Sequence, residues 1–487
     1  MNLRMTKSIF PIFFLLVVIT VSTPVYALET TPPPSVTPDT QQTPSPLSTP
    51  LSGPTYIVAS GDSLTLIANR FGVKLDDLMS ANGITDPNQI FIGQPLIIPG
   101  LEGISGILVT ELVTYGETLR SISRQHQVSE DLLRRLNKIT SPAELYAGVG
   151  FVLPKPENAQ QILSTRSSLE NGESLLELSA RQGTNPWTLT GENSLVGTWD
   201  GIPGEVLFSA SGTSEPIAIG LPPIFHNVEL RDAPFKQGGT AEITVKTEPD
   251  VQLSGLLVDK PLKFYPGENG TQVALQGIHA MLPPGLYPLQ LEATLPDGSI
   301  QSYEQNVLIR SGFYPNDPVL IVDPSFVDPA VTEPENQQVE SIVAQASPTK
   351  YWNGLFTSPA AFPDCFTSRF GNRRAYNESD YIYFHSGLDF CGGEGLPITA
   401  PADGVVVFAG PLTVRGNATI IDHGHGVYTG YWHQSNILVS EGDEVKKGEQ
   451  IGYVGGTGRV TGAHLHFEVW VNGIQVDPMD WLTNNYP

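Results

Sequence analysis

The sequence predicts a multidomain chain: small α+β repeats of strand-helix-helix-strand order, an Ig-like β-sandwich, and a C-terminal domain in which strands carry the chemistry. Three observations predict it. A short motif recurs as Gly61-Asp62-Ser63-Leu64, Gly116-Glu117-Thr118-Leu119 and Gly172-Glu173-Ser174-Leu175, at spacings of 55 and 56 residues, which marks tandem small domains. Residues 215–313 alternate apolar and polar positions between turn signals. Six of the nine histidines fall between His385 and His466, and metal binding is the leading explanation for that concentration.

At 487 residues the chain is too long for one hydrophobic core. Its 40% hydrophobic and 16% charged residues suit folded domains, while 48 glycines and 42 prolines predict many turns and linkers. A net charge of -24 argues against nucleic acid and against adhesion to an anionic membrane, and favours a neutral or carbohydrate-like partner. Arg4 and Lys7 precede an apolar run from Ile9 to Val21, then Val25-x-Ala27, so residues 1–27 read as a signal peptide cleaved near Ala27, with no membrane association afterwards. The only cysteines, Cys365 and Cys391, are expected to pair in an exported chain.

Residues 28–54 hold eight prolines among Ser, Thr and Gln and are expected to form an extended tether. The first repeat, residues 55–99, opens with a strand around Tyr56–Val58, and Asp62-Ser63 can cap a helix. Leu64, Ile67, Ala68 and Phe71 form one helical face, a second helix buries Leu75, Leu78 and Met79, and Leu96–Pro99 closes the unit as a strand. This unit resembles a LysM domain in Tyr56-x-Val58, Gly61-Asp62-Ser63-Leu64, Ile67-Ala68, Phe71-Gly72, Leu78, Asn82 and Gly93-Gln94-x-Leu96-x-Ile98-Pro99. The resemblance implies binding to N-acetylglucosamine-containing glycan through Gly61, Asp62 and Ser63 and the segment at Asn82 and Ile84. Residues 109–155 form a LysM-like second unit, with Gly148-Val149 where Gly-Gln is usual. Residues 163–209 form a degenerate third, ending Val206-Leu207-Phe208 without proline, and can equally be read as a spacer.

In the sandwich, residues 215–313, Ile243 and Val245 face one side and Leu289, Leu291 and Leu295 another, with Pro296-Asp297-Gly298 as a turn. His226 and His279 stand alone there and read as structural or surface residues. Residues 314–350, rich in Pro, Asp and Glu, read as a linker or extended arm.

The chemistry is expected in residues 351–487. His464-Leu-His466-Phe-Glu468 reads as a strand whose period of two puts His464, His466 and Glu468 on one face. His385 and Asp389 add an imidazole and a carboxylate, so one of the paired histidines would complete a three-ligand catalytic zinc set. Residues from about 350 to 482 resemble the lysostaphin/LytM-type zinc endopeptidases in the motifs His385-x-x-x-Asp389, Tyr431-x-His433 and His464-x-His466, and in turns such as Gly395-Leu396-Pro397 and Gly442-Asp443-x-Val445. The resemblance implies a mostly antiparallel β domain with one zinc ion on His385, Asp389 and His466, and with His433 and His464 as the catalytic pair. It implies a secreted enzyme, extracellular or wall-associated and periplasmic where an outer membrane exists, that hydrolyses peptide cross-links of peptidoglycan through its peptide stems and glycan. The alternative is a non-hydrolytic wall-binding or amidase-activating protein, against which all five positions are intact. Glu468 reads either as a partner orienting a ligand or as one half of a surface ion pair. His423 and His425 read as hydrogen-bonding or exposed residues.

Overall fold

Each repeat folds because its first helix is capped by a Ser or Thr side chain and its second is clipped to a closing strand. The computed structural model describes residues 53–101, 103–155, 165–170, 172–203, 205–209 and 220–487; the expected leader and nearly all of the 28–54 tether lie outside them. The first repeat is β1 (Thr55–Ile57), α1 (Leu64–Phe71), α2 (Leu75–Asn82) and β2 (Pro95–Ile97). The second is β3 (Ile107–Leu112), α3 (Leu119–His126), α4 (Glu130–Asn137) and β4 (Gly150–Lys155). The third is β5 (Thr165–Ser168), α5 (Leu175–Gln182), α6 (Pro186–Glu192) and β6 (Val206–Ser209). Ser63, Thr118 and Ser174 accept a main-chain N–H from the first turn of α1, α3 and α5, satisfying donors that a helix start leaves open.

A common asparagine clip closes all three repeats. Asn82 Oδ1 accepts from Ile97 N at 2.7 Å, Asn137 Oδ1 from Val152 N at 2.6 Å and Asn193 Oδ1 from Phe208 N at 2.7 Å. Each amide also donates to a carbonyl of the preceding helix and one of the closing strand. The motif's acidic residue ties the turn before it, Asp62 to Ala59 N, Glu117 to Thr114 N and Glu173 to Glu170 N.

The repeats are not separate beads. β1 pairs in parallel with β3, Thr55 opposite Ile107, giving one sheet of order β2-β1-β3-β4. Leu108, Leu136 and Val152 of the second unit complete the core of the first. The third unit seats on α3, where buried Arg124 donates to Asn193 O and Val206 O and pairs with Glu205 at 3.0 Å.

The next nine strands are β7 (Phe225–Arg231), β8 (Phe235–Lys236), β9 (Thr240–Thr247), β10 (Gln252–Leu257), β11 (Lys260–Pro261), β12 (Phe264–Pro266), β13 (Thr271–Gly277), β14 (Gly285–Thr294) and β15 (Ile300–Arg310). They form two sheets, ordered β11-β10-β14-β15-β8 and β12-β13-β9-β7, over one shared core containing Ile243, Val245, Leu289, Leu291 and Val307. Leu295 falls in the turn instead, its N–H donating to Ser299 O.

The stretch expected as a linker, residues 314–350, is built into the structure. It carries α7 (Pro329–Val343), started by Asp328 capping Ala330 N, with Pro329 at a helical position that needs no N–H donor. Val339 and Val343 pack under Tyr428, Trp432 and Trp470, so α7 belongs to the C-terminal core.

That C-terminal part adds β16 (Phe366–Ser368), β17 (Arg373–Arg374), β18 (Tyr383–Phe384), β19 (Leu388–Phe390), β20 (Pro397–Thr399), β21 (Gly404–Leu412), β22 (Gly416–Gly424), β23 (Val427–Gln434), β24 (Asn436–Ile437), β25 (Glu444–Val445), β26 (Gln450–Tyr453), β27 (Leu465–Val471), β28 (Ile474–Val476) and α8 (Pro478–Thr483). Its main sheet runs β16-β19-β27-β23-β22-β21-β25, with β28 beside β27, and every pairing in it is antiparallel. Cys365 and Cys391 are joined, their Cα atoms 5.4 Å apart, and fasten the strands at the β16 edge. Among the described residues no helix is long and apolar enough to cross a membrane.

Candidate metal centre and catalytic cleft

The antiparallel pairing of β19 with β27 sets Asp389 directly opposite His466, and β18 ends one residue before His385. These three buried residues bring one ligand atom each within 4.8 Å of one another, a geometry able to hold a metal ion. Asp389 Oδ1 lies 2.7 Å from His466 Nδ1 and 3.0 Å from His385 Nε2, and those two ring nitrogens are 3.0 Å apart.

The outer nitrogens explain why the inner ones converge. His385 Nδ1 lies 2.9 Å from Arg369 O, and His466 Nε2 lies 2.9 Å from Glu468 Oε1. Each contact places the ring proton outside, leaving a lone pair aimed inward at the carboxylate oxygen, the arrangement that metal-binding histidines need. Two imidazole nitrogens and one carboxylate oxygen therefore fit a divalent cation of borderline softness. Burial pushes the His385 ring down, while burial of Asp389 is outweighed by the imidazoles of His385 and His466, which hold its carboxyl well below the usual range. Glu468 is 2% exposed and also accepts from Ser386 Oγ at 2.6 Å, so it orients His466 and makes no surface ion pair.

His433 reaches this group by a backbone irregularity. On β23, Tyr431 points into the core and Trp432 to the opposite face, so strict alternation would return His433 to the core side. Asn417 pairs with Gln434 but Thr419 with Tyr431, an extra residue on β23, and His433 adopts φ 64°. This bulge in a left-handed conformation re-aims the ring beside His464, with centroids 5.1 Å apart, and 6.1 Å from the His466 ring. His433 Nδ1 lies 2.8 Å from Thr457 O and His464 Nδ1 2.8 Å from Gly462 O, which turns both Nε2 atoms toward the cleft, that of His464 to 3.5 Å from Asp389 Oδ1. His464 sits one residue before β27, not within it.

The five side chains line one cleft of about 640 Å³. Several of its other walls escaped the sequence. Arg374 approaches Asp389 Oδ2 at 3.6 Å, a cation beside a ligand carboxylate, and Asp317 from the arm holds Arg374 and Asn372. Asn316 and Leu320 bridge to Arg373 and Tyr376, so the arm flanks the loop from Asn372 to Asp380. Their only sequence signal is a cluster of polar and aromatic residues at 372–383.

The remaining singled-out residues have structural roles. His423 is fully buried between Asp403 O and Thr429 Oγ1, and His425 stacks on Tyr265 at 3.9 Å. His226 contacts Glu248 and His279 accepts from Met281 N. The Asp62 and Asn82 side chains are taken up by the first repeat's own turns, Asp62 by Tyr56 Oη and Ala59 N and Asn82 by its clip. Those contacts fix the shape of the expected glycan loop, which offers exposed main chain at Gly61, with Ser63 and Ile84 half-buried beside it.

Comparison with known proteins agrees with this geometry. The model of Peptidase family M23 matches residues 383–478, and the LysM domain model matches residues 56–99 and 112–149. The DD-carboxypeptidase/endopeptidase Mpg of Neisseria meningitidis serogroup B is 47% identical over 95 residues, 20% of this chain and 22% of Mpg. The peptidoglycan DD-endopeptidase ShyA of Vibrio cholerae is 42% identical over 113 residues, 23% of this chain and 26% of ShyA. The chain thus spans about a quarter of the length of these relatives. Among solved structures, the catalytic domain of the antimicrobial peptidase lysostaphin from Staphylococcus simulans matches with a TM-score of 0.20 at 30% identity, over 28% of this chain and 92% of that one. Residues 383–478 therefore form a domain of Peptidase family M23, and residues 56–99 and 112–149 are LysM domains.

Proposed function

We propose that this chain is a secreted zinc-dependent endopeptidase that hydrolyses peptide cross-links of bacterial peptidoglycan, held on the wall's N-acetylglucosamine-containing glycan through its LysM region. The observation that carries it is the convergence of His385, Asp389 and His466 beside the His433 and His464 rings, whose Nδ1 atoms are held by main-chain carbonyls. His385, Asp389 and His466 would hold one zinc ion, which when bound would supply a Lewis acid for amide hydrolysis. Burial and the neighbouring imidazoles push the His433 ring down to about 3, so it stands neutral at neutral pH with Nε2 as a proton acceptor. His464, more open to the cleft, is placed to hydrogen-bond the oxyanion that develops as the peptide carbonyl is attacked. Arg374 and the Asn372–Asp380 loop are read as the wall that selects the peptide stem. The two-sheet body, read as Ig-like, serves as the scaffold between the repeats and the cleft, and Gly61–Ser63 with Asn82–Ile84 form the glycan loop of the first repeat.

Zinc analysis of purified variants tests this. His385→Ala is expected to lose both metal and wall lysis, whereas His464→Ala keeps metal and loses lysis. Wall lysis by zinc-free protein, or by the His385→Ala variant, would refute it.

A further inference from the structure

The motif glycine opens the same turn in each repeat, at φ 83° for Gly61, 100° for Gly116 and 86° for Gly172. Among the described residues, nothing lies within 4 Å of where a side chain would start at Gly61 and Gly172, while at Gly116 that space is filled by Leu221. The second repeat differs because the β14–β15 edge of the sandwich sits on its loops. Tyr115, 2% exposed, donates its hydroxyl toward Leu289 O at 2.8 Å, with Tyr303 O at 3.1 Å, and Ala147 bridges to Val307. At the centre lies the carboxamide of Gln305, 8% exposed. Its Oε1 accepts from Gly116 N at 2.7 Å, and its Nε2 donates to Glu117 O at 2.9 Å and Leu145 O at 3.2 Å.

A carboxamide offers a carbonyl acceptor and N–H donors from one planar group, and the acetamido group of N-acetylglucosamine likewise offers a carbonyl acceptor and one N–H donor. We propose that Gln305 fills the groove of the second LysM domain from within, so that this domain takes no glycan and serves as the seat that fixes the sandwich to the repeats. The inference rests on the glycan reading of the LysM loops given above. Gly116 N, which a sugar acetamido carbonyl would accept from, and the Glu117 and Leu145 carbonyls, either of which its single N–H could reach, are already paired, and leaving any of them unpaired and buried would be unfavourable. The first and third repeats keep their glycine turns open.

Hydrogen–deuterium exchange on the full chain, with and without an N-acetylglucosamine tetramer, tests the proposal. In the wild type the tetramer should slow exchange at residues 59–67 and leave 114–122 unchanged. Gln305→Ala and the near-isosteric Gln305→Met should both speed exchange at 114–122 by roughly tenfold or more, and in Gln305→Ala, which vacates the groove, the tetramer should slow that segment too. Unchanged exchange at 465–471 verifies that both variants are folded. Protection of 114–122 by the tetramer in the wild type, or wild-type exchange there in both variants, would overturn the proposal. Absence of protection at 59–67 in every protein would overturn the glycan reading instead, and is distinguishable because the loosening caused by the variants requires no sugar.

Discussion

Replacing Glu335 by Gln should unsettle the catalytic cleft from its far side. Glu335 lies on α7, is 5% exposed, and accepts from Val414 N at 2.7 Å, Arg415 N at 3.1 Å and Arg415 Nη1 at 2.9 Å. Arg415 in turn presents its carbonyl to His433 N at 2.9 Å, so the carboxylate anchors the backbone that holds the left-handed histidine. Glutamine keeps the shape but turns an NH2 group toward a donor and removes the charge. One buried donor left unpaired costs about 1–3 kcal/mol, and breaking a buried ion pair costs about 3–5 kcal/mol. The two losses overlap, and the Arg415 side chain keeps 15% exposure, so a net loss of about 3 kcal/mol is expected. Urea unfolding followed by tryptophan fluorescence reads it, because Trp432 and Trp470 lie against Val339 and Val343 of α7. Peptide hydrolysis should fall at least about tenfold through misplacement of His433, with zinc content unchanged. A variant within about 0.5 kcal/mol of the wild type and equally active would refute this account of how α7 supports the site.

Burial lowers the His423 pKa to about 4 against an ordinary value of 6.5, so the folded state resists a proton that the unfolded chain accepts. Its stabilising contribution is whole above pH 6.5 and declines by up to about 3 kcal/mol as pH falls toward 4, so His423→Gln should show a flatter acid dependence of its urea midpoint; parallel curves would contradict this. The Cys365–Cys391 bond spans 26 residues, and Cys365→Ser with Cys391→Ser should lower stability by about 3 kcal/mol, while two thiols alkylated in the native, unreduced protein would show that the bond does not form. Asn137→Ala orphans Val152 N and should destabilise the paired repeats by about 1–3 kcal/mol, read as faster amide exchange along β4; unaltered exchange would count against the clip.

The parts of the site legible in the sequence were those written in side-chain identity at fixed spacing. His385-x-x-x-Asp389 and His464-x-His466 offered imidazoles and a carboxylate suited to zinc, and the resemblance to the lysostaphin/LytM-type endopeptidases, rather than the spacing, assigned His466 as the third ligand. The helical faces of the repeats were equally plain, since Leu64, Ile67, Ala68 and Phe71 are all buried. What escaped depends on pairing across distant segments. The bulge at His433 exists only because β22 and β23 pair out of step, and Gln305 gains its role only when the sandwich meets Tyr115 and Gly116. The arm was read by composition, where Pro329, Pro334 and several acids suggested a loose chain. Proline at a helix start forfeits no hydrogen bond, and Glu335 found buried donors that no local rule announces.

The parallel seam between β1 and β3 has a mechanical consequence. A sugar-reading module on a slack leash samples a sphere, and its partner cleft meets substrate at a frequency governed by leash length. Here the first repeat is stitched edge to edge with the second, which is itself seated on the sandwich. On the proposed function, a glycan strand held at Gly61 would be presented at one bearing and one reach, and the molecule would act as a gauge favouring cross-links at a set offset along the strand.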